Sequence, residues 1–350
     1  MKHSIFLVAA LATLGAAATR AADNGSIAVY SARGQGSNEA LYNAFMQKTG
    51  IRIDRTENDA AGILSRLENE GTDSAADVVL LNNVTELLQA QSKGLLQPVK
   101  SARLDRAIDA TLRAAPAADG AIAWYGFSMR PRVIVYNKHQ VDPKEVSTYE
   151  ALAAPRNKGK LCMRSGKAPS NLSLFGALIE HDGVARTRTW LKAVVANLAR
   201  PPTGDDTDQI RAVAAGQCEI GVVNTFYLAR LLRSDHAEDR NLARSVAVVF
   251  PNQGTWGTHV DIAGAAVTRH AKHPREAVRF LEYLASAQGQ NLFANGNDEW
   301  PAVTTFKFDN PQLKAIRGKA TQIRVDATPM ARIGAHRDEV LRMLEQAGFD

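Results

Sequence analysis

The sequence predicts an α/β protein made of two lobes, each a mainly parallel sheet flanked by helices. Three observations lead to this prediction. Strand and helix patterns alternate through the first hundred residues, a second α/β series begins near residue 160, and two long extended segments could carry the chain between lobes. At 350 residues the chain is long enough for two such units. We expect an N-terminal lobe of residues 22–128 plus 259–300 and a C-terminal lobe of residues 129–258 plus 301–350.

The first lobe opens with a regular succession of strands and helices. Apolar runs typical of strands are found at 26–30, 51–53 and 76–81. Helical periodicity follows each of these runs, over 40–49, 60–71 and 85–92. This order predicts parallel strands joined by crossover helices, as in a doubly wound sheet.

Two extended segments are expected to cross between the lobes. A glycine and a proline interrupt the segment 124–137, and the segment 259–267 alternates as a returning strand. Between these segments, strands are predicted at 160–164, 218–224 and 246–250, with helices at 172–181, 190–197 and 208–216. Two further helices are predicted at 274–286 and 336–347.

The charge balance bears on the class of partner. The formal net charge of +6 is mild, and no long run of Lys and Arg accompanies it. We therefore expect no nucleic-acid partner, and a small anion or an acidic partner is a better match for the excess charge. With 45% hydrophobic and 22% charged residues, the composition is ordinary for a globular protein. We expect a monomer.

The N-terminal residues have the pattern of a secretory signal. Lys2 and His3 precede a run of apolar and small residues at 5–18, and Thr19-Arg20-Ala21 resembles a small-x-small cleavage site. We therefore expect residues 1–21 to be a signal peptide and the mature protein to be exported and soluble. No cysteine lies near the expected cut, which argues against a lipid anchor there.

The chain has two cysteines, Cys162 and Cys218. An even pair in an exported protein favours a disulfide, although two separate buried thiols are the alternative. The bond would close a loop of 56 residue steps and contribute about 3–4 kcal/mol to the free energy of unfolding on the chain-entropy model.

The stretch 221–231 is the strongest candidate for a binding site. A buried strand is followed by Asn224 and Thr225, which are suited to the start of a helix. Ligands bind at such strand ends in open α/β sheets, near unpaired N–H groups. Tyr227 and Arg230 would share one rim there, three residues apart. Alternatively, Tyr227 only packs and Arg230 only pairs with a surface acid.

Polar turns recur at other expected strand ends. The turn 31–39 follows the first strand and carries Arg33, and the turn 165–171 precedes a helix. Arg130 and Arg132 flank a proline and would lie on one face of an extended segment, as an anion clamp or as a solvated edge. The predicted ligand-binding residues are Tyr227, Arg33, Arg130, Ser170, Thr225, Gln35 and Asn171, with Arg230 and Arg132 in supporting roles.

Enzyme signatures are absent from the sequence. It has no G-x-S-x-G, no H-E-x-x-H, no paired-cysteine zinc spacing and no dinucleotide or Walker fingerprint, and its eight histidines are scattered. We therefore predict no catalytic residues, no required cofactor and no enzyme activity. Two lobes with polar turns facing each other predict a binding protein that closes by a hinge around a small ligand.

Several long stretches are similar to one known family. V-Y-S-A-R, A-A-D-V-V-L, R-V-I-V-Y-N, L-A-R-P-P-T-G-D-D-T-D-Q-I-R-A-V-A-A-G, V-V-N-T-F-Y-L-A-R-L-L and F-P-N-Q-G-T-W-G-T-H-V resemble the periplasmic ferric-iron-binding proteins of ABC importers, the FbpA/FutA class. The resemblance covers essentially the whole mature chain. It implies a type II, Venus-flytrap fold, a periplasmic location and delivery of cargo to an ABC permease in the inner membrane.

The resemblance also implies iron-ligand positions, and most are substituted here. Members hold Fe(III) with adjacent tyrosines, a His-Tyr pair, a further tyrosine and, in some, an acid. The corresponding residues in this sequence are Phe226 and Tyr227, Gly34 and Gln35, Ser170 and Asn82. Tyr227 alone remains as a candidate metal ligand, and Arg230 matches a supporting arginine of the family.

The substitutions change the expected cargo. Ferric ion prefers anionic oxygen donors, and one phenolate beside Arg33, Arg130 and Arg230 would repel a bare cation and attract an anion. We therefore predict capture of chelated iron or of a small anionic ligand. The alternatives are direct Fe(III) binding by Tyr227 with an exogenous anion, and a sensory protein that presents its ligand to a receptor.

Overall fold

The computed structural model describes residues 25–34, 36, 38–303, 305–320 and 322–350. The expected signal peptide, 1–21, and the expected site residue Gln35 lie outside the described residues. Within the described part of the chain, no helix is both long and apolar enough to cross a membrane.

Strands and helices alternate along the described residues. The strands are β1 (Ser26–Ser31), β2 (Arg52–Glu57), β3 (Val78–Leu81), β4 (Tyr125–Asn137), β5 (Leu161–Cys162), β6 (Ile220–Asn224), β7 (Val246–Val249), β8 (Val260–Val267) and β9 (Trp300–Pro301). The α-helices are α1 (Glu39–Thr49), α2 (Ala60–Glu70), α3 (Val84–Ser92), α4 (Ala102–Ala107), α5 (Pro169–Asp182), α6 (Val184–Ala196), α7 (Asp206–Ala214), α8 (Thr225–Arg233), α9 (Ala237–Ser245), α10 (Pro274–Leu284), α11 (Ala287–Phe293), α12 (Pro311–Arg317), α13 (Met330–Ala335) and α14 (Arg337–Ala347).

The sheet is mixed rather than mainly parallel. Its strand order is β2-β1-β3-β8-β4-β6-β5, with β7 and β9 also paired to β4. β1 is parallel to β2 and β3, and β5 is parallel to β6, as the alternating pattern predicted. The prediction was wrong for β4 and β8: β8 pairs antiparallel with β3 and β4, and β4 also pairs antiparallel with β6, β7 and β9. The reason is that β4 and β8 cross between the two halves in opposite directions.

Strand β4 joins the two halves of the molecule. Its first part, as far as Pro131, pairs with β8, and its second part, from Arg132, pairs with β6 and β7. Proline has no N–H to donate, so it is tolerated where the strand changes partners. The backbone N–H of Arg132 still donates to the carbonyl of His259 at 2.9 Å. The predicted glycine and proline interruptions thus lie inside one continuous strand.

Apolar side chains form cores on both sides of this junction. The first core packs around β1, β3 and β8 and includes Phe45, Trp124 and Phe280. On the other side, one cluster includes Tyr149 and Phe175 and another surrounds the Cys162–Cys218 region; together we call these the second core. Each amphipathic helix buries its apolar stripe, as α10 does with Phe280 and its neighbours.

The lobe boundaries drawn from the sequence stay a proposal. For most of the chain, the residues assigned to one lobe pack into the same core, which supports these boundaries. Helix α13, which lies within the stretch 301–350, packs Met330 and Ile333 into the first core, whereas α14 packs Val340 and Leu344 into the second. The C-terminal segment therefore contacts both lobes.

The residue that precedes His259 and β8 pairs with a segment near residue 325, and we call these two stretches the crossing segments. Thr258 forms a parallel bridge with Val325, and its N–H donates to the carbonyl of Arg324 at 2.8 Å. Asp326 accepts a hydrogen bond from the ring of His181 at 3.1 Å, and that ring stacks on Trp256 at 4.2 Å. These contacts tie helix α5 to both crossing segments.

The predicted disulfide is confirmed. Cys162 ends β5 and Cys218 precedes β6, and these strands are parallel neighbours, which brings the two Cα atoms to 5.9 Å. Both cysteines are buried in the second core.

We expect the Cys162→Ala/Cys218→Ala variant to unfold with a free energy about 3–4 kcal/mol smaller, because the unfolded chain regains the entropy of an open loop. Urea denaturation followed by circular dichroism measures the difference. Adding a reductant to the unchanged protein under denaturing conditions should reproduce the loss, and an unaltered urea midpoint in the variant would contradict it.

His259 should make the fold sensitive to acid. Its ring is fully buried, with Nε2 3.0 Å from the hydroxyl of Ser173. Burial lowers the pKa of His259 from 6.5 to about 4, aided by Arg132 and His181 and opposed by Asp326. Because the unfolded chain binds the proton more readily, stability is complete above pH 6.5 and falls as the pH drops towards 4.

Between pH 7 and 4.5 we expect this one group to cost about 2–3 kcal/mol of unfolding free energy. Urea titrations at both pH values should show a smaller acid loss for His259→Gln than for the unchanged protein. The exposed His139, replaced by glutamine, is the control and should leave the loss unaltered. Equal acid losses in all three proteins would refute the assignment.

Candidate functional site

A cavity of about 300 Å³ lies where the two halves meet, at the carboxyl ends of β1, β3 and β6. This volume is at the lower end of the range typical of small-molecule sites, roughly 300–1,000 Å³. The first wall is formed by Arg33, Asn82, Asn83, Glu86, Arg130, Asp261, Asn297 and Glu299. The second wall is formed by Arg164, Pro169, Ser170, Asn224, Phe226, Tyr227 and Arg230.

The strand–turn–helix predicted around residue 224 is present. β6 ends at Asn224 and α8 begins at Thr225, and the Asn224 side chain makes no capping hydrogen bond. Tyr227 lies in the first turn of α8 with its ring 4.1 Å from that of Phe226. The guanidinium of Arg230 lies 4.7 Å from the centre of the Phe226 ring, which is a cation–π contact. Phenol and guanidinium therefore share one rim of the cavity.

Arg33 is held against a carboxylate on the first wall. Its Nη2 lies 3.1 Å from Glu299 Oε2, and its Nη1 donates to Oε1 at 3.2 Å, with both side chains at least 96% buried. Ser128 donates a further hydrogen bond to Glu299. Burial disfavours the charged carboxylate, but Arg33, Arg130 and Ser128 outweigh it and hold the pKa of Glu299 below its ordinary value.

Arg130 also faces protein groups. Its Nη2 donates to the carbonyl of Ile262 at 3.0 Å and lies 3.8 Å from Asp261. Asp261 accepts backbone N–H bonds from Val84 and Ile262. Burial raises the pKa of Asp261 despite Arg130 and these two bonds, and burial likewise raises the pKa of Glu86.

Arg132 lies behind the second wall rather than on it. Its Nη1 donates to Asp206 at 2.5 Å and its Nη2 donates to Asn171 at 2.7 Å. Asp206 also accepts the N–H of Asn224 at 2.8 Å. Both members of the ion pair are almost fully buried, at 1% and 0% exposure. This network fixes the position of the β6–α8 junction.

The predicted site residues separate into three groups. Tyr227, Arg33, Arg130, Ser170 and Arg230 line the cavity. Thr225, Asn171 and Arg132 are buried behind it, where Thr225 accepts a hydrogen bond from Trp300. Gln35 lies outside the described residues. Which of these residues contact a ligand remains a prediction.

The expectation of a pocket stripped of negative oxygens is wrong. Glu86, Asp261 and Glu299 all line the cavity beside the arginines. Sequence reasoning missed them and Arg164. Asp261 and Glu299 lie far along the chain from Arg130 and Arg33, whereas Glu86 and Arg164 lie in a predicted helix and a predicted strand, where no motif marked them. An acid within the returning strand 259–267 was the signal available for Asp261.

The side chains that line the cavity do not form a typical set of metal ligands. Tyr227 is the one phenol among the described lining residues, and no group of three or more His, Cys, Asp or Glu in the described part of the chain is placed to hold a metal ion. The cavity instead combines guanidinium, amide and carboxyl groups, which suits a polar ligand bound by many hydrogen bonds.

Comparisons with known proteins bear on this cavity. Residues 40–315 match the family model described as bacterial extracellular solute-binding protein. The chain is 36% identical to Iron uptake protein A1 of Synechocystis over 323 residues, which is 92% of this chain and 87% of that protein. It is 25% identical to the Major ferric iron-binding protein of Neisseria meningitidis serogroup B over 358 residues, covering 100% of each.

Solved structures share the architecture. The Trichodesmium structure in complex with iron and citrate ligands has a TM-score of 0.87 at 40% identity, covering 93% of this chain and 100% of that one. The apo FutA2 structure from Synechocystis has a TM-score of 0.85 at 37% identity, covering 93% and 99%. The two-lobed binding-protein fold expected from the sequence is therefore confirmed.

We expect Arg132→Met to lower the free energy of unfolding by about 3–5 kcal/mol, because Asp206 would remain buried without its partner. Urea denaturation measures this loss. The double variant Arg132→Met/Asp206→Asn should recover part of it, since the unpaired charge is then removed. A loss in Arg132→Met no larger than that of an exposed arginine variant such as Arg279→Met would contradict a structural role.

Proposed function

We propose that this protein captures iron held in an anionic chelate. The chain belongs to the bacterial extracellular solute-binding proteins and, within them, to the ferric-iron-binding class. This family consists of binding proteins rather than enzymes. In the proposal, residues 1–21 export the chain to the periplasm, and the loaded protein delivers its cargo to an ABC permease in the inner membrane.

One observation carries the choice of cargo: among the described residues, four arginines and a single tyrosine line the cavity. Ferric ion prefers several anionic oxygen donors, and four of the carboxyl oxygens that could supply them are otherwise engaged. Both oxygens of Glu299 accept from Arg33, one oxygen of Asp261 accepts two backbone N–H groups, and one oxygen of Glu86 accepts the N–H of Asn82. A chelator would bring its own oxygen donors, and its remaining negative charge would suit guanidinium groups.

A similar protein supports this choice. The Trichodesmium structure, at 40% identity, holds iron together with citrate ligands. Citrate is a small polycarboxylate, and the cavity of about 300 Å³ is large for a bare ion. We therefore choose ferric citrate as the probe for this chain.

Direct binding of Fe(III) is the second candidate. The observation that favours it is the presence of Tyr227 and three carboxyl groups in one cavity. Phenolate and carboxylate are the donors a ferric ion prefers, and an exogenous anion would complete its coordination. The two candidates differ in whether the Tyr227 phenolate is bonded to the metal.

We expect the purified protein to bind ferric citrate without a visible phenolate-to-iron charge-transfer band, because the chelator supplies the oxygens bonded to iron. Isothermal titration calorimetry measures binding, and visible absorption of the loaded protein tests for the band. Native mass spectrometry of the complex should show the mass of iron plus citrate.

The matched controls are Tyr227→Phe in the cavity and Tyr283→Phe outside it. Both variants should give the same featureless spectrum as the unchanged protein. A strong band that is lost in Tyr227→Phe but kept in Tyr283→Phe would overturn chelate capture in favour of direct coordination. Absence of ferric citrate binding would refute the proposed cargo outright.

A further inference from the structure

The two walls of the cavity differ in charge. The first wall carries Arg33 and Arg130 but also the three carboxyl groups found among the described lining residues. The second wall carries Arg164 and Arg230 and, among the described lining residues, no carboxyl group. The positive charge that is left to attract an anion is therefore concentrated on the second wall.

The arginines of the first wall are already directed at protein acceptors. Arg33 makes a two-point contact with Glu299, and Arg130 donates to the carbonyl of Ile262 and faces Asp261. A ligand oxyanion that displaced either contact would leave a buried carboxylate without its partner, which is costly.

Arg164 is in a different situation. Among the described residues its one carboxylate neighbour is Asp206, whose Oδ1 lies 3.8 Å from Nη1, too far for a hydrogen bond. Arg132 and the N–H of Asn224 bind the other oxygen of Asp206, Oδ2. The side chain of Arg164 is 24% exposed, compared with 4% for Arg33 and 10% for Arg130.

Ser170 adds a second available donor on the same wall. The residue is 93% buried, and its hydroxyl has no partner among the described residues although it borders the cavity. A buried hydroxyl without a partner is unfavourable, and a ligand oxygen would satisfy it. Asn171, next to Ser170, ties the start of α5 to the backbone of Arg164, because its Nδ2 donates to the carbonyls of Arg164 and Ser165.

We infer that Arg164 and Ser170 form the subsite that binds an oxyanion of the cargo, a carboxylate or a phosphate group, and that Arg164 determines the preference for anionic cargo. This inference rests on the proposed function and deepens it. The guanidinium supplies charge and a planar pair of donors, and the hydroxyl supplies one directional hydrogen bond. The acidic first wall then faces the less negative side of the cargo.

The test compares Arg164→Gln and Ser170→Ala with the unchanged protein. Three probes are titrated by calorimetry at two salt concentrations: ferric citrate, citrate alone and inorganic phosphate. For Arg164→Gln we expect at least a ten-fold loss of affinity for each probe that the unchanged protein binds, and a weaker dependence on salt. For Ser170→Ala we expect a smaller loss, of about three-fold to ten-fold, with the salt dependence kept.

Arg156→Gln is the matched control, since Arg156 is an exposed arginine of the same half that faces Glu145. It should bind like the unchanged protein. A thermal unfolding midpoint for Arg164→Gln within a few degrees of the control confirms that the variant is folded. If it is not folded, Ser170→Ala and Arg164→Lys carry the test, and Arg164→Lys should retain the salt dependence.

The outcomes separate this inference from the proposed function. If the unchanged protein binds none of the three probes, both fail. If it binds ferric citrate and Arg164→Gln binds every one of the probes as tightly as Arg156→Gln does, only the inference fails. Loss of phosphate but not of ferric citrate in Arg164→Gln would assign the subsite to free phosphate, whereas the reverse would assign it to the chelator carboxylate.

Discussion

The buried ion pair between Arg132 and Asp206 is the interaction on which the site depends. Arg132 stands where β4 passes from the first half of the sheet to the second, and Asp206 begins α7. Their contacts reach Asn171 at the start of α5 and Asn224 at the end of β6. Two elements that carry residues of the second wall, α5 and β6, are therefore fixed by one charged pair. Removing such a pair from water is expensive, and the hydrogen bonds from Arg132 to Asp206 and Asn171 and from Asn224 to Asp206 offset that cost.

Much of the fold could be predicted from the sequence, because it follows from local patterns. The alternation of strand and helix, the apolar stripe of α10 and the junction at Asn224 are all set by neighbouring residues. The antiparallel pairing of β8 was missed, since the direction in which a strand returns depends on topology and not on its own composition. Pro131 was taken as an interruption, whereas it marks a change of partners inside one strand.

Only the part of the site that is built from residues close together in the sequence could be predicted. Tyr227, Arg230 and Ser170 lie in helices that begin at the polar turns the sequence marks, and they line the cavity. Glu299 is 266 residues from Arg33, so nothing in the neighbourhood of either residue reveals their contact. Counting arginines near polar turns therefore overstated the positive charge of the pocket. The two walls of the cavity differ in charge, so each wall suits a different side of the cargo. The total charge of the cavity does not show this difference.

The bridge between Thr258 and Val325 has a consequence for motion. Two crossing segments joined by backbone hydrogen bonds form a short ribbon, and a ribbon bends more easily across its face than within its plane. Closure of the two halves should therefore follow a single bending axis, with little sideways shear. The stack of His181 on Trp256 joins α5 to the base of this ribbon, so α5 should move with it as one body.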